Sequence, residues 1–122
     1  MALGKIKADT LEHSTAGSLD TQYVVKGSAK ARLSLDGTGT ISVTGSFNIS
    51  STSDDATATY TANYTSNMSD ATYTVSGSLT NNSNVMHCVS ALSASSFTTI
   101  HRLYTNTLTD TKPMSSVHGD LA

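Results

Sequence analysis

The stretch Gly27–Leu79, GSAKARLSLDGTGTISVTGSFNISSTSDDATATYTANYTSNMSDATYTVSGSL, decides the fold class. Ala31, Leu33 and Leu35 point one way while Lys30, Arg32 and Ser34 point the other, the period-two signature of a strand with one buried face. Asp36-Gly37-Thr38-Gly39 follows, a hairpin signal because glycine accepts the positive φ that tight turns need. Ile41 and Val43 resume the alternation, and Phe47 and Ile49 carry it past Gly45, which predicts a bulge or bend within one long strand. Ser50–Asp55 (SSTSDD) predicts a polar turn. Ala56, Ala58, Tyr60, Ala62 and Tyr64 then alternate with Thr57, Thr59, Thr61 and Asn63, which predicts a long strand with a tyrosine face and a threonine face. After a turn over Ser66–Asp70, Ala71, Tyr73, Val75 and Leu79 give the next strand, interrupted at Gly77.

Working outward, Tyr23–Val25 predicts a short strand closed by Gly27. Downstream, Asn81–Asn84 is a loop, and Val85–Ser90 (VMHCVS) is apolar on both faces, as for a strand covered on two sides. Ser93–Ser96 breaks it, Phe97–Tyr104 forms another strand, and Asn106–Pro113 is turn-rich. Pro113 argues against a central strand there, so Met114–Leu121 reads as a short edge strand. Strands recurring at this interval with turns between them predict an all-β fold, a small antiparallel sandwich or barrel-like domain over residues 23–122. In residues 1–22, Leu3, Ile6, Leu11 and Leu19 are spread among polar residues. That segment reads as an attachment arm that orders by docking, either extended or with a short helix over Lys5–His13.

Composition narrows the function classes. Serine and threonine make up about a third of the 122 residues, and charged residues only 13% against a usual quarter or so. The net charge is −2 and the seven basic residues are scattered, so no basic stripe for nucleic acid is expected. No apolar run approaches the roughly 20 residues that span a bilayer, and no secretory leader is evident, so membrane insertion is not expected. Cys88 is the one cysteine, so no internal disulfide can staple the domain. With few large apolar side chains, burial against other subunits is attractive.

Candidate chemistry is sparse. His87 and Cys88 are adjacent on a strand and point to opposite faces, so they read as a structural histidine and a free thiol rather than a dyad. His13, His87, His101 and His118 lack metal-ligand spacing. Asp54, Asp55 and Asp70 suit turn chemistry better than calcium binding, and Asp36–Gly39 enters a strand rather than the helix a phosphate loop needs. Glu12 is the one glutamate, which argues against a paired-carboxylate hydrolase. No catalytic, cofactor-binding or metal residue is expected. Tyr60, Tyr64 and Tyr73 are candidate subunit or glycan contacts, and Leu3, Ile6, Leu11 and Leu19 are candidate docking residues.

Over Gly27–Gly77 the chain resembles a small family of virion structural proteins from tailed marine phages such as cyanophages and pelagiphages. The likeness lies in Gly27–Ala31, Asp36–Thr40, Ser46–Ser51, Tyr60-Thr61, Tyr64-Thr65 and Met68–Gly77, with Ser18–Val25 as a lead-in. Family members carry a tryptophan and a second aromatic after the Lys-Ala. Here Arg32 and Leu35 stand in that region, and the chain has no tryptophan. The resemblance implies a non-enzymatic virion protein, commonly a homotrimer, assembled in the host cytoplasm beside other tail or capsid proteins. A fibre-like tail appendage is the first expectation, a capsid decoration protein the second, and a carbohydrate-binding module for a host surface glycan the third.

Overall fold

The computed structural model describes residues 4, 6–80 and 84–122. The elements in chain order are β1 (Thr10–His13), β2 (Gly17–Asp20), α1 (Thr21–Gly27), β3 (Ala31–Asp36), β4 (Ser42–Phe47), β5 (Ile49–Ala56), β6 (Thr59–Tyr64), β7 (Thr74–Leu79), β8 (Val85–Ser93), β9 (Ser96–Leu103) and β10 (Pro113–His118). Strands β4-β3-β10-β7 form one antiparallel sheet and β5-β6-β9-β8 a second, and the two pack as a sandwich. β1 and β2 form a separate hairpin, so the arm is extended rather than helical over Thr10–His13.

The inner faces follow from the alternation. Ala31, Leu33 and Leu35 of β3 meet Tyr60, Ala62 and Tyr64 of β6, Phe97 of β9 and Val117 of β10, with Met68 and Tyr73 added from the β6–β7 connection. Tyr64 packs edge-on to Tyr73 with ring centroids 5.8 Å apart, a favoured aromatic geometry. The Asp36–Gly39 hairpin forms as expected: Asp36 Oδ1 accepts hydrogen bonds from Thr38 N at 3.0 Å and Thr38 Oγ1 at 2.6 Å, and Gly39 takes φ +83°. Gly37 is a close approach, since a Cβ there would lie 2.2 Å from the Tyr60 hydroxyl.

Several segments differ from expectation. Tyr23–Val25 lies in α1, not in a strand: no neighbouring strand pairs with it, and its backbone is satisfied locally, ending with Ser28 N on Val24 O. The run from Ile41 to Ile49 is not one strand. The register slips at Ser34/Leu35 opposite Gly45, giving the expected bulge, but at Asn48 the chain leaves the first sheet for the second with φ +56°. Ser50–Asp55 is not a turn but most of β5, an edge strand whose polar side chains suit an open face. Thr57-Ala58 is instead the turn, with Ala58 at φ +61°. Gly77 does not interrupt β7. β8 is an edge strand leaving Met86 and Val89 exposed, not a strand covered on both sides. β10 is central, not an edge, because Pro113 occupies its first position, where a missing N–H is tolerated. The expected loop at Asn81–Asn84 falls largely outside the described residues.

Candidate docking surface

Two places gather functional-looking side chains, one inside the sandwich and one outside it. Inside, the β8–β9 register sets His87 opposite His101 with ring centroids 5.0 Å apart. His87 Nε2 lies 3.2 Å from Ser115 Oγ, and His101 Nδ1 lies 2.8 Å from Thr111 Oγ1. His101 is fully buried, and its Nε2 has no hydrogen-bond partner among the described residues. Burial, with His87 beside it, lowers the His101 pKa to about 4, and burial lowers that of His87 as well. Sequence reading missed this pairing. The two histidines sit at unequal distances from the Ala94-Ser95 turn, and the bulge between Val89 and Ala91 makes up the difference.

Ser115 and His87 share a part-buried hydrogen bond rather than an exposed nucleophile–base pair. Ser115 is buried, and the ring beside His87 is another imidazole rather than a carboxylate. Asp110 is engaged elsewhere, accepting from Ala58 N at 2.8 Å and from the Tyr60 hydroxyl at 3.3 Å. Cys88 registers with Ile100, one position along from the histidine pair, and so projects from the opposite face. Among the described residues no group of three or more His, Cys, Asp or Glu could hold a metal, and no helix is long and apolar enough to cross a membrane.

The tyrosine candidates need correcting. Tyr60, Tyr64 and Tyr73 are buried between the sheets, because the alternation that grouped Tyr60 and Tyr64 on one face made that face the inner one. They present no ring to a glycan or a neighbouring subunit. Burial pushes the Tyr60 hydroxyl up to about 12 and raises that of Tyr64 further. Of the carboxylates expected in turns, Asp54 and Asp55 lie in β5 instead, where Asp55 accepts from Ser53 Oγ and Thr61 Oγ1, while Asp70 keeps the Asx pattern. Asp70 accepts from Thr72 N and Oγ1, which lowers its pKa, and Asp36 is held at about 2 by hydrogen bonds from Lys112 and Thr38.

Outside, the arm and the neighbouring end of the sandwich carry the uncovered apolar surface. Leu11 and Leu19 are cross-strand partners in the β1–β2 hairpin and each is nearly half exposed; Ile6 is 95% exposed. Leu3 lies outside the described residues. The hairpin is tied to the start of α1 by Thr21, whose N–H donates to Asp9 O at 2.8 Å and whose hydroxyl donates to Ala8 O at 2.7 Å. α1 buries none of its residues. Between α1, the β4–β5 corner and the C-terminal residues runs an open groove of about 1120 Å³, lined on its apolar side by Val24, Val25, Phe47 and Leu121. The chain exposes 7586 Å², against roughly 6,200 Å² for a compact monomer of this mass.

Comparison with known proteins found no matching family model, no matching curated relative and no matching solved structure.

Proposed function

We propose that the protein is a non-enzymatic structural component of a tailed-phage virion, a fibre-like appendage protein that docks through its N-terminal arm and oligomerises through its β domain. The observation that carries this reading is the division of labour between the two parts. The sandwich has its own buried core within residues 31–117, whereas the arm leaves Ile6, Leu11 and Leu19 uncovered. An isolated two-stranded hairpin is marginal in water, so such an arm gains its order by burial against something else. The likeness of Gly27–Gly77 to virion proteins supplies the setting, with a homotrimer as the favoured assembly and other tail or capsid proteins as partners.

A head-surface decoration protein is the second reading, favoured by the same pairing of one small sandwich with one docking arm. Host-glycan binding is weaker, because burial of Tyr60, Tyr64 and Tyr73 removes the ring platform it relied on. Antibody labelling of purified phage particles tests the proposal. Label on the tail supports the appendage, label on the head moves the protein to decoration, and particles free of the chain overturn the virion assignment.

A further inference from the structure

We propose that the groove beside α1 receives the β1–β2 hairpin of a second copy of this chain, so that subunits join head to tail. The proposal rests on the arm being a docking element; it makes the β-domain side of the groove the oligomerisation surface and leaves the arm at the end of the assembly to reach the virion. Three features of the molecule point to a second copy.

The first is the apolar match. The hairpin offers the Leu11–Leu19 pair, and the groove offers Val24, Val25, Phe47 and Leu121, with Phe47 60% exposed. The hairpin cannot serve its own groove as it stands. Thr21 fixes it to the start of the very helix that forms one groove wall, and Leu11 and Leu19 remain exposed there.

The second is charge. Residues 8–20 carry Asp9, Glu12 and Asp20 and no lysine or arginine. The groove has Lys30 in its lining and Arg32 as the cross-strand partner of Phe47. Asp120 is the one acidic lining residue. An acidic hairpin entering a basic-rimmed apolar groove has its orientation set by these charges.

The third is area. The surface in excess of a compact monomer is roughly 1,300 Å², and a standard interface takes about 800 Å² from each partner. One hairpin given and one groove filled per subunit accounts for an excess of that size. Joined head to tail, with one arm-in-groove contact per pair, the interface is heterologous: it closes into a ring if the rotation allows and otherwise propagates.

The test uses the full chain with two variants at exposed positions, Leu11→Asp/Leu19→Asp in the arm and Phe47→Asp in the groove. Light scattering across a concentration series gives the mass, and circular dichroism with urea unfolding checks the fold. Wild type is expected at two or more times 12.7 kDa, and each variant alone is expected as a monomer with an unchanged urea midpoint. The decisive result is the mixture. The arm variant keeps an intact groove and the groove variant keeps an intact arm, so together they form a heterodimer that grows no further. A monomeric wild type, variants that assemble as wild type does, or a mixture that stays monomeric overturns the proposal. These outcomes are separate from the virion reading: a monomer found on particles refutes the groove alone, and an assembling chain missing from particles refutes the virion role alone.

Discussion

His87 and His101 face one another across the β8–β9 pair with ring centroids 5.0 Å apart, inside the sandwich, and among the described residues their ring nitrogens meet the hydroxyls of Ser115 and Thr111 rather than a carboxylate. The His101 pKa lies near 4 in the folded protein against 6.5 for a free imidazole, so the unfolded chain binds the extra proton. Stability is therefore complete above about pH 6.5 and falls as pH drops toward 4, by about 1.4 kcal/mol per pH unit for this group. Urea midpoints at about pH 7 and pH 4.5 measure the loss. His101→Met removes the proton site, at a cost of about 1 kcal/mol at neutral pH for the lost Thr111 bond, and is expected to flatten the acid slope. An unchanged slope would place the sensitivity elsewhere.

Gly77 makes room for that pair. A Cβ at this position would lie 2.5 Å from His87 Nε2 and 2.7 Å from the Met114 carbonyl. Gly77→Ala is expected to cost roughly 1–3 kcal/mol and to shift the His87 ring resonances. Gly45→Ala is the control, since its Cβ would meet no atom nearer than Ser34 Cβ at 4.0 Å. Thermal melts of the two variants should separate clearly.

Tyr64 and Tyr73 touch edge to face yet differ in what their hydroxyls find. That of Tyr73 donates to Ser93 O at 2.9 Å and Ser96 O at 2.7 Å, whereas that of Tyr64 is buried with only the Tyr73 hydroxyl beside it and makes no well-aligned hydrogen bond among the described residues. Tyr73→Phe should cost about 1–2 kcal/mol, while Tyr64→Phe should be neutral or stabilising by up to about 1 kcal/mol. Equal losses in chemical denaturation would contradict the assignment.

Asn48 holds the corner where the chain changes sheets. Its side-chain amide donates to Lys30 O and Ser66 O at 3.0 Å each, its Oδ1 accepts from Ser66 N at 2.7 Å, and its backbone sits at φ +56°. Asn48→Gly loses the bonds but keeps the conformation; Asn48→Ala loses both. We expect a cost of roughly 1–3 kcal/mol for glycine and about 1 kcal/mol more for alanine. Alanine proving more stable than glycine would be inconsistent with this role.

The inner faces of β3 and β6, and the turn at Asp36, were legible because their alternation and turn chemistry are local. The course of β5 and the central place of β10 were not. The Ser and Asp residues of β5 suit a turn as well as an open edge, and only pairing to β6 decides between them. The position of β10 between β3 and β7 depends on contacts as distant in the chain as Val117 with Ala31, 86 residues apart, which no window of sequence displays. Tyr23–Val25 carries strand-favouring residues that become helical for want of a strand to pair with. The docking residues could be named from their apolar character, but the groove could not, because α1, β4 and Leu121 meet only in three dimensions.

The central place of β10 reaches beyond the finished structure. Until residues 113–118 are available, β3-β4 and β7 have no common neighbour, and half of the sandwich has nothing to close upon. A chain emerging from the ribosome therefore holds its inner tyrosines uncovered until β10 has emerged, and closure over such sequence distances is slow. Timing follows: β1 and β2, made before every strand of the sandwich, are available to pair and dock long before the body that carries them is complete.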